Sequence, residues 1–172
     1  MTENTPVPFN DLKPKVAAHR AAIDRAIARV LDRGWFILGP EVDAFEKELA
    51  AAMGAKDAVA VANGTDALIL ALEVKGIGPG DEVITSPMSA AFSALAISRL
   101  GATPVFGDID PVTLNLDPAT IEARITPKTR GILPVHLYGH PADLDPMMEI
   151  ARRHNLVVVE DACQAHAARY KD

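Results

Sequence analysis

The sequence predicts an α/β fold in which helices flank a mostly parallel β-sheet. From residue 57 onwards, short apolar segments rich in β-branched residues alternate with segments of helical periodicity. Strands that are apolar on both faces are typical of a parallel sheet covered by helices on both sides. Each helix is then expected to return the chain to the sheet by a right-handed crossover.

Residues 1–56 are predicted to form an N-terminal helical segment. A first helical pattern ends at Gly34, and a second one runs from Pro40 to Gly54. The apolar residues of the first pattern are spaced as on one helix face: Ile23, Ile27, Val30 and Leu31.

Residues 57–172 are predicted to form the α/β portion. Its strands are expected at 57–62, 82–86, 104–108, 130–136 and 156–160. Its helices are expected at 65–75, 88–100, 117–124 and 143–154. Because ligands of such sheets bind outside the carboxyl ends of the strands, the segments that follow the strands are the first places to search for a site.

Composition narrows the class of partner. The net charge is −6 and the longest basic run is the pair Arg152 and Arg153, so no nucleic-acid partner is expected. No segment approaches the ~18 consecutive apolar residues of a membrane span. The single cysteine, Cys163, fits a reducing compartment, and we expect a cytoplasmic protein. The His and Asp residues lack the spacing of metal ligands, so no metal site is predicted.

Two predicted strand ends, 98 positions apart, carry polar residues with complementary chemistry. After the first strand, the N–H groups of Gly64, Thr65 and Asp66 and the Thr65 hydroxyl suit a phosphate, although an ordinary capped turn is the alternative. After the last strand, Asp161 suits a cationic ring nitrogen, the alternative being a helix cap. Gln164, three residues later, suits a hydrogen bond to a ring oxygen from the same side, the alternative being a surface glutamine. A phosphate at one end and a pyridinium at the other describe pyridoxal 5′-phosphate.

Six motifs occur in a fixed order: residues 35–42 (Trp-Phe-Ile-Leu-Gly-Pro-Glu-Val), 63–68 (Asn-Gly-Thr-Asp-Ala-Leu), 80–84 (Gly-Asp-Glu-Val-Ile), 108–111 (Asp-Ile-Asp-Pro), 135–139 (Val-His-Leu-Tyr-Gly) and 160–166 (Glu-Asp-Ala-Cys-Gln-Ala-His). Together they resemble the DegT/StrS-type sugar aminotransferases, pyridoxal-phosphate enzymes of the aspartate aminotransferase fold (fold type I). The resemblance spans nearly the whole chain but only about the first half of a family member. It therefore implies an incomplete large domain.

The resemblance also implies an activity. Family members transfer an amino group, usually from glutamate, to a nucleotide-linked keto-sugar, and they are homodimers with active sites between the subunits. By this analogy Gly64, Thr65 and Asp66 hold the phosphate of the cofactor. Asp161 pairs with its pyridine nitrogen, and Gln164 contacts its ring face or ring hydroxyl.

Three departures from the family pattern are visible. Where the family stacks an aromatic ring on the cofactor, this chain has Ala90, with Phe92 two residues later. The family's His-Gly-Ala has Ala167 in the place of glycine. The Schiff-base lysine lies farther downstream in the family, and Lys171 aligns with an ordinary basic residue, so we expect the chain as given to have no catalytic lysine and to be inactive alone.

Several alternatives stay open from the sequence. They are a dehydratase-like relative in which another residue replaces the lysine, a non-catalytic remnant or binding protein, and an unrelated doubly wound domain that binds phosphate esters. The resemblance further implies an uncovered edge strand and exposed apolar surface, and hence self-association.

Overall fold

The computed structural model describes residues 7–171; residues 1–6 and 172, which belong to the two predicted segments, lie outside that range. The chain divides into two compact units. One contains the described residues up to Ala51 together with Ala55–Ala58, and the other contains Ala52–Gly54 and the described residues from Val59 onwards.

The first unit is built on two helices, α1 (Lys13–Arg33) and α2 (Pro40–Met53). Gly34 ends α1 in the left-handed conformation that favours glycine, with φ of 68°, as its position in the sequence predicts. Arg29 on α1 binds Glu41 on α2, with Nε 3.2 Å from Oε1. The helix α1 has no buried residue, and four of its large apolar side chains are exposed: Val16, Ile23, Ile27 and Leu31.

The second unit contains a four-stranded parallel sheet with strand order β2-β1-β3-β4. Its elements in chain order are α3 (Gly64–Val74), β1 (Glu82–Thr85), α4 (Phe92–Arg99), β2 (Thr103–Phe106), β3 (Thr129–Leu133), α5 (Leu144–His154) and β4 (Val157–Val158). Strands that alternate with helices in this way confirm the predicted α/β class. Among residues 7–171, no helix combines the length and the apolar content that crossing a bilayer requires.

The core lies on both faces of this sheet. One cluster packs α3 and α4 against the sheet and includes Leu72, Val83 and Ile97. The other packs α5 against the opposite face and includes Ile84 and Met147. Adjacent residues of β1, Val83 and Ile84, thus point into different clusters, as expected for a strand buried on both faces.

The predicted strand at 57–62 is wrong, because this segment forms no strand within the described chain. A strand needs a neighbour for its backbone ladder, and the sheet here contains only β1 to β4. The segment instead leaves Val59 80% and Val61 37% exposed. Apolar periodicity alone therefore did not establish whether this segment has a strand neighbour.

Other predicted elements are shorter than expected. The helix predicted at 88–100 begins only at Phe92, and the one predicted at 117–124 is replaced by two 3₁₀ turns, Pro118–Thr120 and Glu122–Arg124. In the second case the Thr120 hydroxyl donates to the Asp117 carbonyl oxygen, a local bond that competes with a regular helix. The strands predicted at 130–136 and 156–160 end at Leu133 and Val158, and after Leu133 comes Pro134, which has no N–H to donate.

Candidate active site

A cavity of about 770 Å³ lies in the second unit, where the carboxyl ends of the strands meet α3 and α4. All seven residues that the sequence assigns to the cofactor line it: Gly64, Thr65, Asp66, Ala90, Phe92, Asp161 and Gln164. The fold therefore brings together two chain segments that are 98 positions apart. Eight further residues line the cavity, and the sequence did not assign the four polar ones to the site: Asn63, Ser89, Arg99 and Cys163.

The turn before α3 is fixed by Asn63, the N-cap residue of that helix. Its Oδ1 accepts a hydrogen bond from the Asp66 N–H at 2.9 Å, and its Nδ2 donates to Asp66 Oδ2, also at 2.9 Å. Because the Asp66 N–H is used in this cap, the donors expected for a phosphate reduce to the N–H groups of Gly64 and Thr65 and the Thr65 hydroxyl. Asp66 thus shapes the turn.

Gly64 lies close to the opposite side of the cavity. A Cβ atom added at this glycine would lie 2.9 Å from Sγ of Cys163, closer than real Cβ contacts. The glycine therefore allows α3 to begin directly against the segment that follows Asp161.

Asp161 is a buried carboxylate, 7% exposed, with donors on both oxygens. The Ser93 hydroxyl donates to Oδ2 at 2.9 Å, and the Cys163 N–H donates to Oδ1 at 3.2 Å. Its backbone is bound to the continuation of β3, since its N–H donates to the Pro134 carbonyl and its own carbonyl accepts from the His136 N–H. The acid is thus held at a defined place at the carboxyl edge of the sheet.

Gln164 is oriented by the turn that follows β3. Its Oε1 accepts the Tyr138 N–H at 2.9 Å, which leaves the Nε2 amide group as the donor available to a ligand. Tyr138 has a φ of 54°, a left-handed conformation that is uncommon for a non-glycine residue. The buried Asn115 holds the same turn, accepting from the Leu137 N–H and donating to the His140 carbonyl.

His136 links this turn to the residue before Asp161. Its Nδ1 accepts the Ala142 N–H at 3.0 Å, so in the neutral ring Nε2 carries the proton and donates to Glu160 Oε2 at 2.9 Å. The hydrogen bond from His136 lowers the pKa of Glu160 below its ordinary value, against the opposing effect of burial. Burial, followed by the neighbouring Asp161 carboxylate, raises the pKa of the Cys163 thiol, so this cysteine favours the neutral form.

The two residues expected beside the cofactor ring lie in the cavity wall, whereas Lys171 lies outside the cavity. Ala90 and Phe92 both line the cavity, and the Phe92 side chain is 57% exposed. Lys171 does not line it; this exposed side chain binds Asp145 at the start of α5. Within the described residues, no group of three or more His, Cys, Asp or Glu side chains is arranged to hold a metal ion.

Comparisons with known proteins agree with this architecture. The profile of the DegT/DnrJ/EryC1/StrS aminotransferase family matches residues 18–172. The dTDP-3-amino-3,4,6-trideoxy-alpha-D-glucose transaminase of Streptomyces venezuelae is 54% identical over 169 residues, which are 98% of this chain and 45% of the relative. The spore coat polysaccharide biosynthesis protein SpsC of Bacillus subtilis (strain 168) is 52% identical over 145 residues, 84% of this chain and 37% of the relative.

Solved structures give the same result. The crystal structure of S. venezuelae DesV with a ketimine intermediate superimposes with a TM-score of 0.93 at 55% identity, covering 95% of this chain and 44% of that one. The crystal structure of NtdA from Bacillus subtilis with the cofactor PMP gives a TM-score of 0.90 at 39% identity, covering 94% of this chain and 38% of NtdA. The chain thus spans less than half the length of the relatives it matches.

Proposed function

The chain belongs to the DegT/DnrJ/EryC1/StrS aminotransferase family, and on that premise we propose that it is the N-terminal part of a pyridoxal-phosphate-dependent aminotransferase. The proposed reaction transfers an amino group, from glutamate, to a nucleotide-linked keto-sugar. The names of its relatives, which include two dTDP-sugar transaminases, support this substrate class. We further propose that the complete enzyme is a homodimer, as the family resemblance implies.

One observation carries the proposal: the glycine turn before α3 and the buried carboxylate after β4 face the same cavity. The donor set fits the cofactor at both ends. Gly64 and Thr65 offer N–H groups at a helix N-terminus, which suits a phosphate. Asp161 is a buried acid whose carboxylate binds Ser93 and the Cys163 N–H and forms no ion pair within residues 7–171, and a protonated ring nitrogen would supply the cation.

Each residue then has a proposed role. Gly64 and Thr65 bind the phosphate and Asp66 keeps their turn in place. Asp161 pairs with the ring nitrogen and Gln164 donates from Nε2 to the ring hydroxyl. The cofactor, when bound, supplies an electron sink for the reaction at the amino group.

The residue expected to stack on the cofactor ring differs from the family pattern. Ala90 stands at the stacking position and offers only a methyl group, whereas Phe92 on α4 provides an exposed aromatic surface in the same wall. We propose that Phe92 takes over the apolar contact with the ring.

Binding of pyridoxamine 5′-phosphate to the purified chain tests the proposal, because this form of the cofactor needs no lysine. We expect the wild-type chain to bind it more tightly than inorganic phosphate in isothermal titration calorimetry. Asp161→Asn should weaken binding about 10-fold or more, since it removes the charge that faces the ring nitrogen.

Glu160→Gln is the matched control. It removes one carboxylate from the preceding position, but Glu160 does not line the cavity and its partner is His136. If Asp161→Asn and Glu160→Gln bind equally, or if the wild-type chain does not distinguish pyridoxamine phosphate from phosphate, the proposed function is wrong.

A further inference from the structure

Ser93 is a single polar residue on the apolar face of α4. It is 2% exposed, and the residues three and four positions later, Ala96 and Ile97, are fully buried in the core. Residues at these spacings share one helix face, so the Ser93 hydroxyl points from the core side of α4. A buried hydroxyl is costly unless it is hydrogen-bonded.

The partner of this hydroxyl is the Asp161 carboxylate, 68 positions away in the chain. Ser93 could have bonded back to its own helix, as Ser98 does with the Ala94 carbonyl. It instead donates across to Oδ2 of Asp161, while the Cys163 N–H holds Oδ1. The two donors together fix the plane of the carboxylate.

The same turn of α4 contributes a second element of the cavity. Phe92 and Ser93 are adjacent and their side chains leave the helix about 100° apart. Phe92 therefore lines the cavity while Ser93 lies behind it, against the acid. A movement of this turn would displace both at once.

We propose that Ser93 is a positioning residue that aims the Asp161 carboxylate at the ring nitrogen of the cofactor. This inference rests on the proposed function, and it assigns to Ser93 a role that is distinct from the stability of the core. Ser93 acts only through Asp161 and does not itself line the cavity.

The test compares Ser93→Ala with Ser93→Thr in the full chain, using pyridoxamine 5′-phosphate as the ligand and inorganic phosphate as the reference. Ser93→Ala should weaken binding of pyridoxamine phosphate roughly 5- to 10-fold, which corresponds to the net effect of one ordinary hydrogen bond. Ser93→Thr keeps the hydroxyl and should bind within about 2-fold of wild type. Binding of inorganic phosphate should be the same in all three proteins, because it engages only the turn before α3.

A double-mutant cycle separates positioning from packing. If Ser93 acts through the acid, Ser93→Ala should have no further effect on binding in an Asp161→Asn background. Two results of the cycle and the reference ligand would overturn this inference alone: an equal loss of affinity for pyridoxamine phosphate in both backgrounds, or a parallel loss of affinity for inorganic phosphate. The same holds if Ser93→Ala binds pyridoxamine phosphate as tightly as wild type, or if Ser93→Thr binds it no better than Ser93→Ala. A wild-type chain that does not prefer pyridoxamine phosphate to phosphate would overturn the proposed function, and this inference with it.

Discussion

Gly64 is the position at which the close contact between the two sides of the cavity can be tested most directly. Gly64→Ala places a methyl group 2.9 Å from Sγ of Cys163, which is shorter than the ordinary contact distance of 3.4 Å or more. The Cys163 thiol must rotate or α3 must shift. A forced rotamer costs about 0.5–1.5 kcal/mol and overpacking about 1–3 kcal/mol. Gly64 is at the start of α3 and Cys163 is exposed, so both can adjust, and we expect costs at the lower end of each range.

The expected net loss in the free energy of unfolding is about 1 kcal/mol, because alanine recovers part of the helix propensity that glycine lacks. In a chain of this size that loss lowers Tm by about 2–4 °C. The matched background is Cys163→Ala, in which the colliding sulfur is absent. There Gly64→Ala should be neutral or stabilising, which gives a coupling energy of about 1–2 kcal/mol between the two positions.

The assay is reversible denaturant unfolding of the four proteins of this cycle. Cys163 is the only cysteine, so its rate of reaction with a thiol reagent reports the displaced thiol in Gly64→Ala independently of stability. Equal effects of Gly64→Ala in the two backgrounds, together with an unchanged thiol reaction rate, would show that the two segments do not touch.

Gly107→Ala should destabilise by about 1–3 kcal/mol in denaturant unfolding, because its Cβ would lie 2.6 Å from Cδ1 of the buried Leu116; an unchanged midpoint would contradict this. The lowered pKa of Glu160, caused by its hydrogen bond from His136, contributes stability that is present above about pH 4.5 and lost as the pH falls through the folded-state pKa. Glu160→Gln should therefore be less stable than wild type at neutral pH and approach it in acid, whereas a pH-independent difference would exclude the linkage. Ala167→Gly should raise stability by about 0.5 kcal/mol in thermal unfolding, because Ala167 has a φ of 63° where glycine is favoured, and a lower Tm would refute it. The exposed apolar side chains of α1 should make the chain self-associate, and a monomer in sedimentation at high concentration would contradict that expectation.

The sequence predicted which candidate site residues lie near one another better than it predicted the element boundaries. Asp161 comes shortly after the apolar strand β4, and in a parallel sheet this position places it at the carboxyl edge whatever the length of the strand. Pairing is different, because it depends on a neighbour that local periodicity does not reveal. The segment 57–62 has the pattern of a strand and no strand neighbour in the described sheet.

A hydrogen bond from the backbone to a side chain explains why α4 begins later than the sequence predicts. Ser86 Oγ accepts the Met88 N–H at 3.1 Å, a local turn that displaces the first helical residues predicted at 88–91. The contact between Ser93 and Asp161 could not be predicted from the sequence. The partner Asp161 lies 68 positions away, so no local pattern distinguishes this serine from an ordinary helical one.

The distance along the chain between the glycine turn and Asp161 has a consequence for biosynthesis. A ribosome that adds about 5–20 residues per second releases residue 64 roughly 5–20 s before residue 161. During that interval the nascent helix that begins at Gly64 has neither the Cys163 thiol beside it nor the acid opposite. The cavity can therefore form only after β3 and β4 have emerged from the exit tunnel, so a ligand that needs both ends of the cavity can bind only after Asp161 has been added.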